Sequence, residues 1–138
     1  LATRLGVRDQ INFTGSKSQA EIGKILEGSD IFILPSFPEA FGVVFIEALA
    51  KGLPVITCEG NGGGEELKQL GYPAVLVKPD SPENLSKAVI ELSKDKVKME
   101  LMSEKGKQIV SKYFTWEKNA ESSVSIIEET IKEFNSNK

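Results

Sequence analysis

The 138-residue sequence contains no histidine and a single cysteine, Cys58. Without histidine, this chain alone cannot supply a Ser-His-Asp triad, a Cys-His pair or a His-ligated metal site. A single cysteine cannot form an internal disulfide, and it fits a reducing compartment such as the cytoplasm. Acid–base chemistry in this chain would therefore need carboxylates, lysine or tyrosine.

The sequence also lacks a basic block and a long apolar run. Lys and Arg number 17 and Asp and Glu number 20, giving a net charge of -3, which argues against nucleic acid as a main partner. No apolar run reaches membrane-spanning length, and the first residues show no signal-peptide core. Apolar residues at 40% and charged residues at 27% are typical of a soluble globular domain. We expect one cytoplasmic domain over residues 1–138.

Short β-branched or aromatic runs alternate with helical patterns along the chain. Four runs are typical of buried strands in a parallel sheet: QINFTG, IFILPS, LPVITCE and PAVLVKP. The helical patterns begin at polar caps, which we place at Ser18, at Ser81 before Pro82, and at Thr115. The alternation predicts an α/β fold, with a doubly wound, Rossmann-like parallel sheet flanked by helices.

Ligands of such sheets bind beyond the carboxyl ends of the strands, which directs attention to the segment SFPEAFGVVFIE. Glu39 precedes the predicted helix, and Glu47 lies just over one turn inside it. A helix start suits a phosphate, Gly42 allows close backbone approach, and carboxylates accept hydrogen bonds from sugar hydroxyls. The spacing alone, however, favours a simpler interpretation, in which Glu39 stabilises the helix dipole and Glu47 is solvated.

The segment CEGNGGGEEL places three consecutive glycines, Gly62 to Gly64, before a predicted short helix. Such a run is entropically costly, and close approach to an anionic group would explain it. The alternative is a flexible loop followed by ordinary helix-start acids at Glu65 and Glu66.

Four other side chains have simpler interpretations. Cys58 is predicted to be a small core residue, because no base in the chain activates it. Lys17 could contact the base of a ligand or could merely belong to a turn. Phe114 and Trp116 are expected to pack the last helix onto the domain.

Taken in order, the segment DIFILPSFPEAFGVVFIEALAKGLPVITCEGNGGGEEL resembles the donor-binding half of retaining GT-B glycosyltransferases of family 4. The shared pattern is a strand ending in Pro-Ser, two glutamates eight positions apart around Phe-Gly, Glu-Ala, Gly-x-Pro-Val, and a Gly-Gly element followed by Glu. The flanking segments INFTG and YFTWEKNAESSVSIIE also resemble that family. The resemblance covers nearly the whole chain.

The resemblance implies roles for individual residues. Glu39 would hold hydroxyls of the transferred sugar and serve as the catalytic residue, and Glu47 would hold the ribose. The other implied donor contacts are Ala40, Phe41, Gly42 and Val43 at the sugar and diphosphate, Val44 beside the nucleotide, Ser16 and Lys17 near the base, and Gly62 and Gly63 with Glu66 after them. The implied donor is a UDP-, GDP- or ADP-sugar used as a substrate, without a metal or another cofactor.

The chain also departs from the family pattern. It lacks two initial strands, the loop whose Arg and Lys neutralise the diphosphate, and the N-terminal domain, and Gly64-Glu65 replaces an apolar-Pro pair. We therefore expect a partial domain of a two-domain enzyme, inactive alone. The missing domain would bind an acceptor glycan, lipid or small molecule, and it could give the enzyme peripheral contact with the inner membrane face.

Three other functions remain open at this point. One is a GT-B epimerase or phosphorylase, and another is a non-catalytic nucleotide-binding or scaffold module. The third is a glycosidase with Glu39 and Glu47 as its carboxylate pair. This function fits the sequence less well, because a helix start suited to a phosphate lies between the two carboxylates.

Overall fold

The computed structural model describes residues 1–38 and 42–136. A short 3-10 turn at Arg8–Gln10 precedes three strands and six helices in these ranges. In chain order they are α1 (Gln19–Glu27), β1 (Phe32–Leu34), α2 (Val43–Ala50), β2 (Val55–Cys58), α3 (Gly62–Gln69), β3 (Val75–Val77), α4 (Pro82–Lys94), α5 (Lys96–Tyr113) and α6 (Trp116–Ser136). The predicted α/β class is confirmed.

The three strands form one parallel sheet in the order β1-β2-β3. Phe32 lies opposite Val55, and Ile56 lies opposite Val75. Every residue of the central strand β2 is buried, as expected for a parallel strand covered on both faces. The strands all run in one direction, so their carboxyl ends lie along the same edge of the sheet.

The predicted strand QINFTG is wrong, because residues 11–15 adopt neither helix nor strand. Ile11 and Phe13 are 40% and 64% exposed, and the Arg8 guanidinium lies 4.8 Å from the centre of the Phe13 ring. A strand needs a neighbour to pair its backbone groups, and the described sheet offers none beside this segment. β-propensity alone therefore does not produce a strand here.

The predicted helix caps are confirmed at three helix starts. The Ser18 hydroxyl accepts from Glu21 N at 3.4 Å, while Ser18 N donates to Glu21 Oε2 at 2.9 Å, which is a complete capping box. The Ser81 hydroxyl accepts from the backbone of Asn84 at 3.4 Å. The Thr115 hydroxyl accepts from the backbone of Lys118 at 3.2 Å.

The main core lies between β2 and the helices α2, α3 and α5, and Tyr72 is its largest fully buried side chain. The Tyr72 hydroxyl accepts from Val55 N at 3.2 Å and donates to Leu53 O at 3.3 Å. Burial raises the pKa of this phenol, so it stays protonated and can satisfy both backbone groups. Tyr72 thus ties the turn after α3 to the start of β2.

Replacing Tyr72 with phenylalanine should lower the free energy of unfolding by about 1–3 kcal/mol, because Val55 N–H would be buried without a partner. Since the folded-state pKa is raised, this contribution is complete below the ordinary tyrosine pKa of about 10 and declines as the pH rises above it. Urea denaturation at neutral and alkaline pH measures both effects. Tyr113→Phe, at a ring 42% exposed, is the control and should change little; equal effects of the two variants would contradict this role.

The C-terminal helix α6 corrects one prediction about aromatic packing. Phe114 is half-buried against the core, as predicted, but Trp116 is 86% exposed. No residue of α6 is buried, and apolar side chains along it, such as Ile127 and Ile131, are more than half exposed. The amphipathic pattern of α6 predicts a helix but does not specify what that helix contacts.

None of the described helices is long and apolar enough to cross a membrane.

Candidate functional site at the carboxyl ends of the strands

The start of α2 lies just beyond the carboxyl end of β1 and exposes backbone donors. Gly42 is its N-cap, with a φ of 68° and a ψ of 82°. This left-handed conformation favours glycine. Five of the described helices begin with a side-chain cap, whereas none of the described side chains caps α2. Phe45 N donates to Gly42 O at 2.9 Å, and no described group accepts from Val43 N or Val44 N, so these two N–H groups at the start of α2 remain available to an anionic ligand. Val43, its first residue, is 67% exposed.

Glu47 is half-buried on α2 and is not simply a solvated helix residue. Its Oε1 accepts a hydrogen bond from Gln19 Nε2, so the carboxylate ties α2 to the first residue of α1. No described residue donates to its other oxygen. Glu47 thus has a structural partner and also one acceptor oxygen for a ligand.

Four other predicted donor contacts precede α2 or lie in its first turn. Glu39, Ala40 and Phe41 lie outside the described residues. Val44 is half-buried in the first turn of α2, next to the exposed Val43. The structure therefore places Val43, Val44 and Glu47 on one helix, with Gly42 as its N-cap.

The glycine run belongs to a helix, which corrects the prediction that the three glycines precede it. The helix α3 begins at Gly62, and the Asn61 side chain caps it by accepting from Gly64 N at 3.0 Å. Gly64 packs so closely on β2 that a Cβ atom would lie 2.6 Å from Thr57 Cγ2. Close helix–strand packing therefore explains Gly64 without a ligand, while Gly62 is exposed and Gly63 is buried.

Two buried side chains from β2 and the turn after it hold the chain that leaves β1. The Thr57 hydroxyl donates to Leu34 O at 2.8 Å, and Asn61 Nδ2 donates to Ser36 O at 3.0 Å. The Ser36 hydroxyl oxygen is itself buried, with no partner among the described residues. The sequence pattern did not single out Asn61; its one local signal is an Asn just before a helical run, which is typical of an N-cap.

The predicted base-contact segment forms a turn and a helix cap. Lys17 Nζ lies 3.4 Å from Glu21 Oε1, and Ser16 is exposed. The hydrogen bond from the Ser18 backbone is the main cause that lowers the pKa of the Glu21 carboxyl, helped by the Ser18 hydroxyl and Lys17. Lys17 also borders an open groove of about 450 Å³ between residues 12–14 and α1.

Cys58 is buried at the end of β2, which confirms its prediction as a core residue. Desolvation raises the pKa of its thiol, with smaller contributions from the charges of Asp80 and Glu59, so the thiolate is disfavoured. Glu66 is exposed on α3. Within the described ranges, no three acidic or cysteine side chains are grouped closely enough to hold a metal ion.

Another groove of about 450 Å³ lies between the edge strand β3 and α4. Three lysines and three acids line it, namely Lys78, Lys87, Lys98, Glu59, Glu91 and Asp95. None of the predicted donor residues lines this groove, so its size alone does not make it the candidate site.

Comparison with known proteins places this geometry in a family context. The family model described as "Glycosyl transferases group 1" matches residues 1–109. The D-inositol 3-phosphate glycosyltransferase of Streptomyces bingchenggensis is 30% identical over 132 residues, or 96% of this chain and 29% of that protein. A GDP-mannose-dependent alpha-(1-6)-phosphatidylinositol monomannoside mannosyltransferase of Mycobacterium tuberculosis is 32% identical over 85% of this chain and 32% of its own length.

Among solved structures, HepE of Anabaena in complex with UDP-glucose matches with a TM-score of 0.74 and 27% identity. The match covers 99% of this chain and 35% of HepE. The chain thus spans about a third of the length of these relatives.

Proposed function

Since this chain belongs to the glycosyl transferases group 1 family, we propose that it forms the donor-binding half of a glycosyltransferase that moves a sugar from a nucleotide-sugar to an acceptor hydroxyl. The observation that carries the proposal is the start of α2, which no described side chain caps, with the left-handed Gly42 before it and Glu47 one turn inside it. Backbone donors for a diphosphate and a carboxylate for hydroxyl groups thereby share one short helix.

In this proposal the diphosphate lies against the first N–H groups of α2, at Gly42 and Val43. Glu47 holds the ribose through the oxygen that Gln19 does not occupy. Glu39 holds the hydroxyls of the transferred sugar, and the backbone of Ala40 and Phe41 completes that part of the site.

The remaining contacts surround this centre. Val44 packs beside the nucleotide, and the backbone of Ser16 and Lys17 approaches the base. Gly62 and Gly63 approach the sugar-diphosphate from the start of α3, and Glu66 follows them.

The proposed chemistry is family 4 transfer with retention at the anomeric carbon. The bond from that carbon to the diphosphate breaks, a bond to the acceptor oxygen forms on the same face of the sugar, and the proton of the acceptor hydroxyl passes to the departing diphosphate. Helix-start amides would stabilise the charge that develops on the departing diphosphate, which is an electrostatic contribution to catalysis. The reaction as proposed uses neither a metal nor another cofactor.

The relatives support a nucleotide-sugar donor but differ in the nucleotide. HepE is described with UDP-glucose, whereas the mycobacterial mannosyltransferase is described as GDP-mannose-dependent. We propose a UDP-, GDP- or ADP-sugar as donor and a glycan, lipid or small molecule as acceptor. The acceptor would bind to another domain of the complete enzyme. That enzyme would be cytoplasmic and could contact the membrane peripherally through that other domain. The 138-residue chain alone would be inactive.

Replacing Glu39 with glutamine in the complete natural polypeptide should reduce sugar transfer at least about tenfold, because one charged hydrogen bond to the sugar is lost. Affinity for the nucleoside diphosphate alone should not change, since Glu39 is assigned to the sugar. Chromatography and NMR of the products from UDP-glucose, GDP-mannose and ADP-glucose, with EDTA present, measure transfer and anomeric configuration. An inverted product, an epimerised donor, or no product from any donor would contradict the proposed function.

A further inference from the structure

We propose that Asn61 is a positioning residue of the donor site, which ties the segment leaving β1 to the first turn of α3. The effect on donor binding rests on the proposed function. The hydrogen-bonded tie belongs to the fold and does not depend on that function. Asn61 is fully buried, although it is polar and lies in a turn between β2 and α3.

The Asn61 carboxamide uses both of its ends. Its Oδ1 accepts from Gly64 N, and its Nδ2 donates to Ser36 O, each at 3.0 Å. The backbone N–H of Asn61 donates to Cys58 O at 3.3 Å, which holds the residue against the end of β2. One buried residue therefore connects three elements at the carboxyl edge of the sheet, two through its side chain and one through its backbone.

A second tie lies two residues earlier on the same segment. The Thr57 hydroxyl donates to Leu34 O at 2.8 Å. Leu34 and Ser36 flank Pro35. The side chains of Thr57 and Asn61 therefore hold the backbone on both sides of this proline. Ser36 lies six residues before Gly42 in the sequence, so displacement of Ser36 would reach the start of α2 in the proposed donor site.

The type of residue at position 61 indicates more than a helix cap. The other capped helices use a hydroxyl or carboxylate oxygen alone, from Ser18, Ser81, Asp95 and Thr115. Aspartate at position 61 would cap α3 equally well, but it has no N–H for the Ser36 carbonyl. An amide carries its acceptor and its donor on two separate atoms, which a carboxylate or a hydroxyl does not.

The test is Asn61→Asp in the complete natural polypeptide, which keeps the cap and removes the tie. Hydrogen–deuterium exchange should accelerate at least about tenfold in peptides covering residues 35–46, because a carboxylate next to Ser36 O repels it. Protection of the α3 amides should persist. The KM for the sugar-nucleotide should rise about fivefold to fiftyfold.

The control is Asp95→Ala, which removes a cap from α5 that accepts from Lys98 N at 2.9 Å and does not touch residues 35–46. It should lower stability and leave both exchange at 35–46 and KM unchanged. If Asn61→Asp does not fold, Asn61→Ser, which also keeps an acceptor oxygen, replaces it.

Wild-type exchange at 35–46 in the folded variant would overturn the tie. Accelerated exchange with wild-type KM would overturn the positioning role. Failure of the wild-type protein to bind any nucleotide-sugar would instead refute the proposed function, and the exchange result would still decide whether the tie exists.

Discussion

Gly64→Ala should lower the free energy of unfolding by about 3 kcal/mol, the upper part of the usual range for overpacking a core. The new Cβ would lie 2.6 Å from Thr57 Cγ2 and 3.3 Å from Leu76 Cδ2. Thr57 is fully buried and its hydroxyl is held by Leu34 O, so it cannot move away without losing a hydrogen bond. Urea denaturation measures the loss.

The matched control is Gly23→Ala in α1. A Cβ there would meet no atom within 4 Å, and Gly23 has no left-handed backbone conformation. Alanine should therefore stabilise the protein by about 0.5–1 kcal/mol through its higher helix propensity. A Gly64→Ala protein within 0.5 kcal/mol of the wild type, on the order of the scatter of such measurements, would show that α3 does not pack on β2 in this way.

Glu47→Ala should weaken binding of the nucleoside diphosphate by about fivefold to 150-fold. The range corresponds to the 1–3 kcal/mol typical of a hydrogen bond to a charged group. The affected contact is the proposed one between the free carboxylate oxygen and the ribose hydroxyls. Calorimetric titration of the complete natural polypeptide gives the dissociation constant.

Gln19→Ala separates the two roles of Glu47. It removes the described donor to Glu47 Oε1 but leaves the carboxylate in place. If Glu47 binds the ribose, Gln19→Ala should change the affinity less than threefold, a free-energy change below about 0.7 kcal/mol. Equal losses in the two variants would show that Glu47 acts through its contact with α1, and unchanged affinity in Glu47→Ala would refute the assignment.

Local patterns were sufficient to predict the fold class and three of the helix starts. Ser18 and Ser81 cap their helices through contacts with residues three positions away, which a sequence shows directly. The segments around β1, β2 and β3 are short apolar runs bounded by turn residues, and all three became strands. These features depend on neighbours in the chain.

Features that depend on distant neighbours were harder to predict. Residues 11–15 have a strand-like pattern but pair with none of the described strands, and Trp116 is 86% exposed instead of packing on the described core. The tie from Asn61 to Ser36 spans 25 positions, and the need for glycine at position 64 comes from Thr57. Such contacts follow from how elements pack, which no local window of sequence contains.

The most direct test of the central claim is a crystal structure of the complete natural polypeptide with a bound nucleoside diphosphate. We expect phosphate oxygens about 2.7–3.2 Å from backbone nitrogens at the start of α2, and a ribose hydroxyl at hydrogen-bond distance from Glu47. A diphosphate bound elsewhere, such as in the groove between β3 and α4, would contradict the proposed donor site.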